Sequence, residues 1–130
     1  NGLELTLNGY RDITNEVVAS LEKNSGIYSD MPLSYGSDSL QKVYLREAAD
    51  TMLVVQLFVM DSLHDYSVNG SVCGRPASYN MNMYHQSRTN VVEFSLNDTV
   101  YRMGFLPYND DSTPFTEDEV KAILATCPEQ

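Results

Sequence analysis

The stretch "LQKVYLREAADTMLVVQLFVMDSLHDY", residues 40–66, decides the fold. It admits two readings. Read as strands, "LQKVYLRE" and "TMLVVQLFVMD" form a hairpin that turns at residues 48–50. The second strand is then buried on both faces, because Leu53, Val55, Leu57 and Val59 on one side and Met52, Val54, Phe58 and Met60 on the other are all apolar. Read as one helix, Tyr44, Ala48, Met52, Val55, Val59, Leu63 and Tyr66 fall on a single stripe. Arg46, Asp50, Asp61, His64 and Asp65 then lie opposite. Periodicity does not separate the two for a continuous apolar run. The Val and Phe content of residues 54–59 favours strands, since β-branched and aromatic side chains pack well on a pleated surface. Two strands are the adopted reading, and one long helix is the alternative.

The flanking sequence extends the strand reading. "NVVEFSLNDTVYRMGFLP" reads as a hairpin. Val92, Phe94 and Leu96 share a face, Asn97-Asp98 turns, Val100, Met103 or Phe105 return, and Pro107 ends it. "ASYNMNMYHQ" alternates Tyr79, Met81 and Met83 with Asn80, Asn82 and Tyr84. "DYSVNGSVCG" reads as a short hairpin turning at Asn69-Gly70, a favoured two-residue turn. At the other end, "GLELTLNG" alternates Leu3, Leu5 and Leu7 with polar residues, the pattern of a half-buried strand.

Two helices bracket these strands. "RDITNEVVASLEKNSG" starts at a cap on Asp12 or Thr14, places Ile13, Val17, Val18 and Leu21 on one stripe, and stops near Asn24. "STPFTEDEVKAILATC" carries a capping box, with Thr116 at the N-cap and Glu119 three residues on. Phe115 is placed to staple onto Val120, and Val120, Ile123, Leu124 and Cys127 form the buried stripe. The expected fold is α+β: an antiparallel sheet of about five to seven strands, with an N-terminal and a C-terminal helix packed on one face of it. With 130 residues and 42% hydrophobic content, the chain forms one compact domain, residues 1–130.

Charge excludes some partners. Eighteen acids against eight scattered bases give −10, which repels nucleic-acid phosphates and offers no basic patch. The longest apolar run, "MLVVQLFVM", is far short of the about 20 residues a spanning helix needs, so a soluble domain is expected. The chain opens at Asn1 rather than Met, which reads as processed or truncated, with any signal peptide or lipid-anchor segment upstream.

Cys73 and Cys127 admit three readings. As a nucleophile, Cys73 would need a base such as His64 or His85, and Arg75 would lower its pKa. As zinc ligands the cysteines are too widely spaced. As a disulfide they clip the C-terminal helix to the rest of the domain, worth about 4 kcal/mol in the chain-entropy description. The disulfide is the adopted reading. It fits an exported protein, in the periplasm or at the cell surface, or lipid-anchored through an upstream segment.

Remaining motifs are weaker. Asp61, His64 and Asp65 would share a face only on a helix, and on strands they become a solvated turn. Asn109, Asp111 and Thr113 mimic calcium-loop spacing, but Pro114 and Val120 stand where Gly and a bidentate Glu are needed. No catalytic, metal or cofactor site is assigned. The loop 25–39 carries Tyr28, Met31, Leu33 and Tyr35, an apolar load that either folds onto the core or makes an interaction surface. The expected function is a non-enzymatic ligand-binding or protein-interaction module of an exported bacterial envelope protein. Its partner would be a protein or small ligand rather than nucleic acid. The alternatives are a small enzyme using Cys73 with His64 or His85, and a structural subunit of an envelope assembly.

Overall fold

The computed structural model describes residues 7–48, 51–84, 88–108 and 115–125. Seven strands form one antiparallel sheet: β1 (Arg11–Asp12), β2 (Leu40–Ala48), β3 (Thr51–Met60), β4 (Gly70–Val72), β5 (Arg75–Tyr84), β6 (Thr89–Leu96) and β7 (Thr99–Pro107). Their spatial order is β1-β2-β3-β7-β6-β5-β4, so β7 lies at the centre. Helix α1 (Thr14–Lys23) precedes the sheet and α2 (Glu117–Leu124) follows it. No described helix is long and apolar enough to cross a membrane.

Residues 40–66 are strands, not a helix. β2 and β3 pair antiparallel from Ala48↔Thr51 outward, while Ala49 and Asp50 of the expected turn lie outside the described residues. β3 is apolar on both sides because both of its faces are covered. Leu53, Val55 and Leu57 join Tyr101, Met103 and Phe105 of β7, Val92, Phe94 and Leu96 of β6, and Phe115, Val120 and Leu124 of the α2 region. Val54 joins Val43, Leu45 and Leu106 beneath Ile13 and Val17 of the α1 region. The helices therefore pack on opposite faces of the sheet, which corrects the expectation of one shared face. A helix stripe shows that a helix is buried, not which side of a two-faced sheet it meets.

The C-terminal helix starts as its sequence signals; at α1 the N-cap is Ile13, without a side-chain cap bond, rather than Asp12 or Thr14. Thr116 accepts from the Glu119 N–H at 3.1 Å and Glu119 accepts from the Thr116 N–H at 2.9 Å, closing the capping box. Phe115 and Val120 are both buried in the α2-face core. At α1, Asp12 accepts from the Thr14 N–H at 2.9 Å and pairs with Lys42 at 3.2 Å. Burial pushes the Asp12 carboxyl up, but these bonds and the Thr14 hydroxyl outweigh it and hold its pKa below the usual value. Asn24 ends α1 in the left-handed region, φ 52°. Val18 faces solvent rather than the core, and Ser20 is buried in its place. The chain folds back tightly here, since a methyl on Gly26 would meet Ser20 Oγ at 2.9 Å.

Among the described residues, two-residue hairpin turns fall at Cys73-Gly74 and Asn97-Asp98. All four residues have positive φ, the requirement of the two-residue turn that matches strand twist. Asn69-Gly70 is therefore not the turn. Gly70 is a strand residue, required because a side chain there would meet the Tyr79 ring at 2.7 Å. The Asn69 side chain instead bonds the Tyr79 backbone, donating to its carbonyl at 2.9 Å and accepting from its N–H at 2.7 Å. The Tyr79 hydroxyl donates to the Ser71 carbonyl at 2.8 Å. The outer strands β1 and β4 are only two and three residues long, which limits edge-to-edge pairing. Leu3 and Leu5 of the expected first strand lie outside the described residues.

Candidate interaction site on a buried ion pair

Two charged residues sit in the middle of the central hairpin. Glu93 of β6 and Arg102 of β7 are directly opposite in register, and each is 1% exposed. Their neighbours Val92, Phe94, Tyr101 and Met103 point to the α2 face, so strand alternation sends Glu93 and Arg102 to the α1 face. Arg102 Nη1 donates to Glu93 Oε2 at 2.5 Å, and Arg102 Nε donates to the Ser34 carbonyl at 3.0 Å. Burying these charges is tolerable only because each is paired and hydrogen-bonded.

Two segments fold over this pair. From the loop 25–39, Pro32 and Ser34 lie across β3 and β7. Gln56, fully buried, donates to the Pro32 carbonyl at 2.7 Å and accepts from the Ser34 N–H at 3.0 Å. Gly104 beneath leaves room for the loop, since a methyl there would overlap Ser34 Oγ and approach Ser34 Cβ to 2.9 Å. From the connection after β3, His64 donates its backbone N–H to Glu93 Oε1 at 3.0 Å and sets its ring Nδ1 2.6 Å from Oε2.

Above the ion pair the side chains are aromatic and partly exposed. The His64 ring stacks on Tyr66 at 5.3 Å and 24°, and meets Tyr35 edge-on at 5.9 Å. Tyr35 also packs edge-on to Phe58 at 6.0 Å, with the Arg102 guanidinium 5.5 Å from its ring centroid. The result is a ledge of three rings fixed from below by buried charge.

The sequence-predicted residues divide. Tyr28 and Met31 are buried in the α1-face core, packed with Val43, Val54 and Leu106. Leu33 is half-buried, whereas Tyr35 is exposed and belongs to the ledge. Asp61, His64 and Asp65 lie in an irregular exposed segment, not on a helix, and only His64 turns inward. Cys73 packs against the α2-face core while His64 bonds to Glu93 on the α1 face, so the sheet separates Cys73 from His64, one of its two expected partners. His85, Asn109, Asp111 and Thr113 lie outside the described residues, as does Cys127. Among the described residues no cysteine is a free thiol and no group of three or more His, Cys, Asp or Glu could hold a metal.

Sequence reasoning passed over Glu93 and Arg102, although a signal existed. Each is a lone charge inside an apolar strand, "VVEFSL" and "VYRMGF", and a turn at Asn97-Asp98 sets them opposite one another. A matched pair of inward charges is the mark of a buried ion pair.

The loop 25–39 has a second tether. The Tyr108 hydroxyl lies 2.8 Å from the Ile27 carbonyl and 3.0 Å from Asp30 Oδ1. Burial, then the bond to Asp30, pushes its pKa up to about 12. A folded-state pKa above the unfolded value of about 10 gives stability that is whole below pH 10 and lost as the pH rises through about 12. Tyr108→Phe should lower stability at neutral pH and flatten its fall between those limits, read from urea midpoints across alkaline pH. An unchanged alkaline slope would show that the tether is not formed.

The chain matches no known protein-family model, no curated protein and no solved structure.

Proposed function

We propose that this domain is a non-enzymatic binding module of an exported envelope protein, and that its contact surface is the ledge of Tyr35, His64 and Tyr66. The observation that carries this reading is the buried Glu93–Arg102 pair, which fixes three partly exposed rings before any ligand arrives. Rigid aromatic side chains with polar tips give large contact area at small entropic cost. The same arrangement argues against activation of Cys73 by His64, whose ring is committed to Glu93. A fragment and peptide screen read by backbone amide shifts tests the reading. Ligands should perturb Tyr35, His64 and Tyr66, and Tyr66→Ala should abolish binding while shifting the melting temperature by only a few degrees. Absence of any hit at the three rings, or a Tyr66→Ala variant that unfolds, would remove the proposal.

Export is supported by the setting of Cys73. The end of α2 lies beside it: Cys73, Leu124 and Ala125 line one shallow depression with Gly70, Ser71, Tyr79 and Lys121. Cys127 follows Ala125 by two residues in sequence, so a Cys73–Cys127 bridge would clip the helix end to the β4–β5 turn. Protein from an oxidising compartment should take up no alkylating agent until reductant is added, with intact mass showing a monomer. Two alkylated cysteines without reductant would sink both the bridge and its support for export.

A further inference from the structure

We infer a second, separate site: a depression at one end of the sheet built to take a free α-amino acid with an apolar side chain. It has a volume of about 430 Å³ and is lined by Leu63, Arg75, Pro76, Ser95, Asn97 and Asp98. That volume falls within the range of small-ligand sites, roughly 300–1,000 Å³. Two tight turns frame it. Arg75 is the first residue of β5, directly after the Cys73-Gly74 turn, and Asp98 is the second residue of the β6–β7 turn. The register Ala77↔Phe94 carries Arg75 and Pro76 towards the last residues of β6, which brings the two turns to the same end of the sheet.

The charges point to the ligand class. Arg75 and Asp98 line the same depression, yet they are not paired with each other, and neither has an ion-pair partner among the described residues. In a chain of net charge −10, an exposed guanidinium without a carboxylate partner among the described residues is conspicuous. An α-amino acid answers both charges at once. Its carboxylate suits the planar fork of Arg75, its ammonium suits Asp98, and Leu63 and Pro76 supply an apolar wall for its side chain. The two tight turns set the backbone that carries both charges before binding. A simple anion would gain Arg75 but face Asp98 and the net negative field, and a simple cation would do the reverse. This site does not depend on the aromatic ledge.

The test titrates the whole protein with L-leucine, N-acetyl-L-leucine and L-leucinamide, read by backbone amide shifts. L-leucine should give saturable shifts at Leu63, Arg75, Asn97 and Asp98. The acetyl compound, which lacks the ammonium, and the amide, which lacks the carboxylate, should each bind about tenfold or more weakly. Arg75→Met and Asp98→Asn should each produce a similar loss for L-leucine. Both positions are exposed, and Asn is at home in this turn, so neither change should unfold the domain. Absence of saturable shifts, equal binding of all three compounds, or shifts centred on Tyr35 and Tyr66 would overturn the site. The last outcome would leave the ledge standing as the only contact surface.

Discussion

Arg102→Met is expected to destabilise the domain by about 3–5 kcal/mol, the usual cost of leaving one member of a buried ion pair unmatched. Glu93, 1% exposed, would keep His64 as its only side-chain partner among the described residues. The Ser34 carbonyl would lose the Arg102 Nε donor. Domains of this size are stable by only about 5–15 kcal/mol, so the variant should be visibly compromised in urea. Glu93→Leu should be costly for the converse reason, because it strands the Arg102 guanidinium in the interior.

Glu93→Leu combined with Arg102→Met separates the cost of a stranded charge from the worth of the pair. Apolar replacements for both partners of a buried pair are often nearly neutral. Here the backbone N–H of His64 and the carbonyl of Ser34 also lose partners, so the double variant should fall short of wild type by about 1–3 kcal/mol. That total is less than the sum of the single losses, and urea unfolding of all four proteins gives the coupling directly. Salt should change the single-variant losses little, since buried charges are poorly screened. If Arg102→Met costs less than about 1 kcal/mol, the pair does not anchor the ledge, and the binding reading loses its foundation.

The strands were legible wherever composition and turn chemistry agreed. Asn97-Asp98 stands between two alternating apolar runs and is a turn. Residues 54–59 resisted a periodicity argument for a physical reason: α1 and the loop cover one face of β3, while α2 and its core cover the other, so no polar face remained to reveal the period. Asn69-Gly70 misled because its sequence suits a tight turn, yet the glycine is needed for the Tyr79 ring and the asparagine for the Tyr79 backbone. The site was less legible than the fold. Tyr35 could be picked out from its loop, but its companions His64 and Tyr66 lie about thirty residues on, and the charges that gather them come from two further strands. Such a cluster is written in strand register, which becomes readable only once the hairpin turn is placed.

Gly104→Ala should destabilise by about 2–3 kcal/mol, at the upper end of what an inserted methyl costs a packed interior. Gly104 lies in the central strand, and the added methyl would overlap Ser34 Oγ, meet Ser34 Cβ at 2.9 Å and approach Gln56 Oε1 to 3.3 Å. The loop cannot lift away cheaply, because Gln56 holds the Pro32 carbonyl and Ser34 N–H while Arg102 holds the Ser34 carbonyl. Partner substitutions give the clash a signature. Ser34 Oγ is buried without a hydrogen-bond partner among the described residues, so Ser34→Ala alone should be neutral or slightly stabilising. In the Gly104→Ala background, Ser34→Ala should rescue in part, since the Ser34 Cβ contact remains. Ser34→Gly should rescue most of the loss, less the roughly 0.5–1 kcal/mol of added backbone freedom. Failure of Ser34→Gly to rescue would mean that the strain lies in β7 itself and not between the strand and the loop. Rescue would establish that the loop carrying Tyr35 is seated on the sheet through a contact only glycine permits, and that the position of the ledge is set by the same packing that stabilises the core.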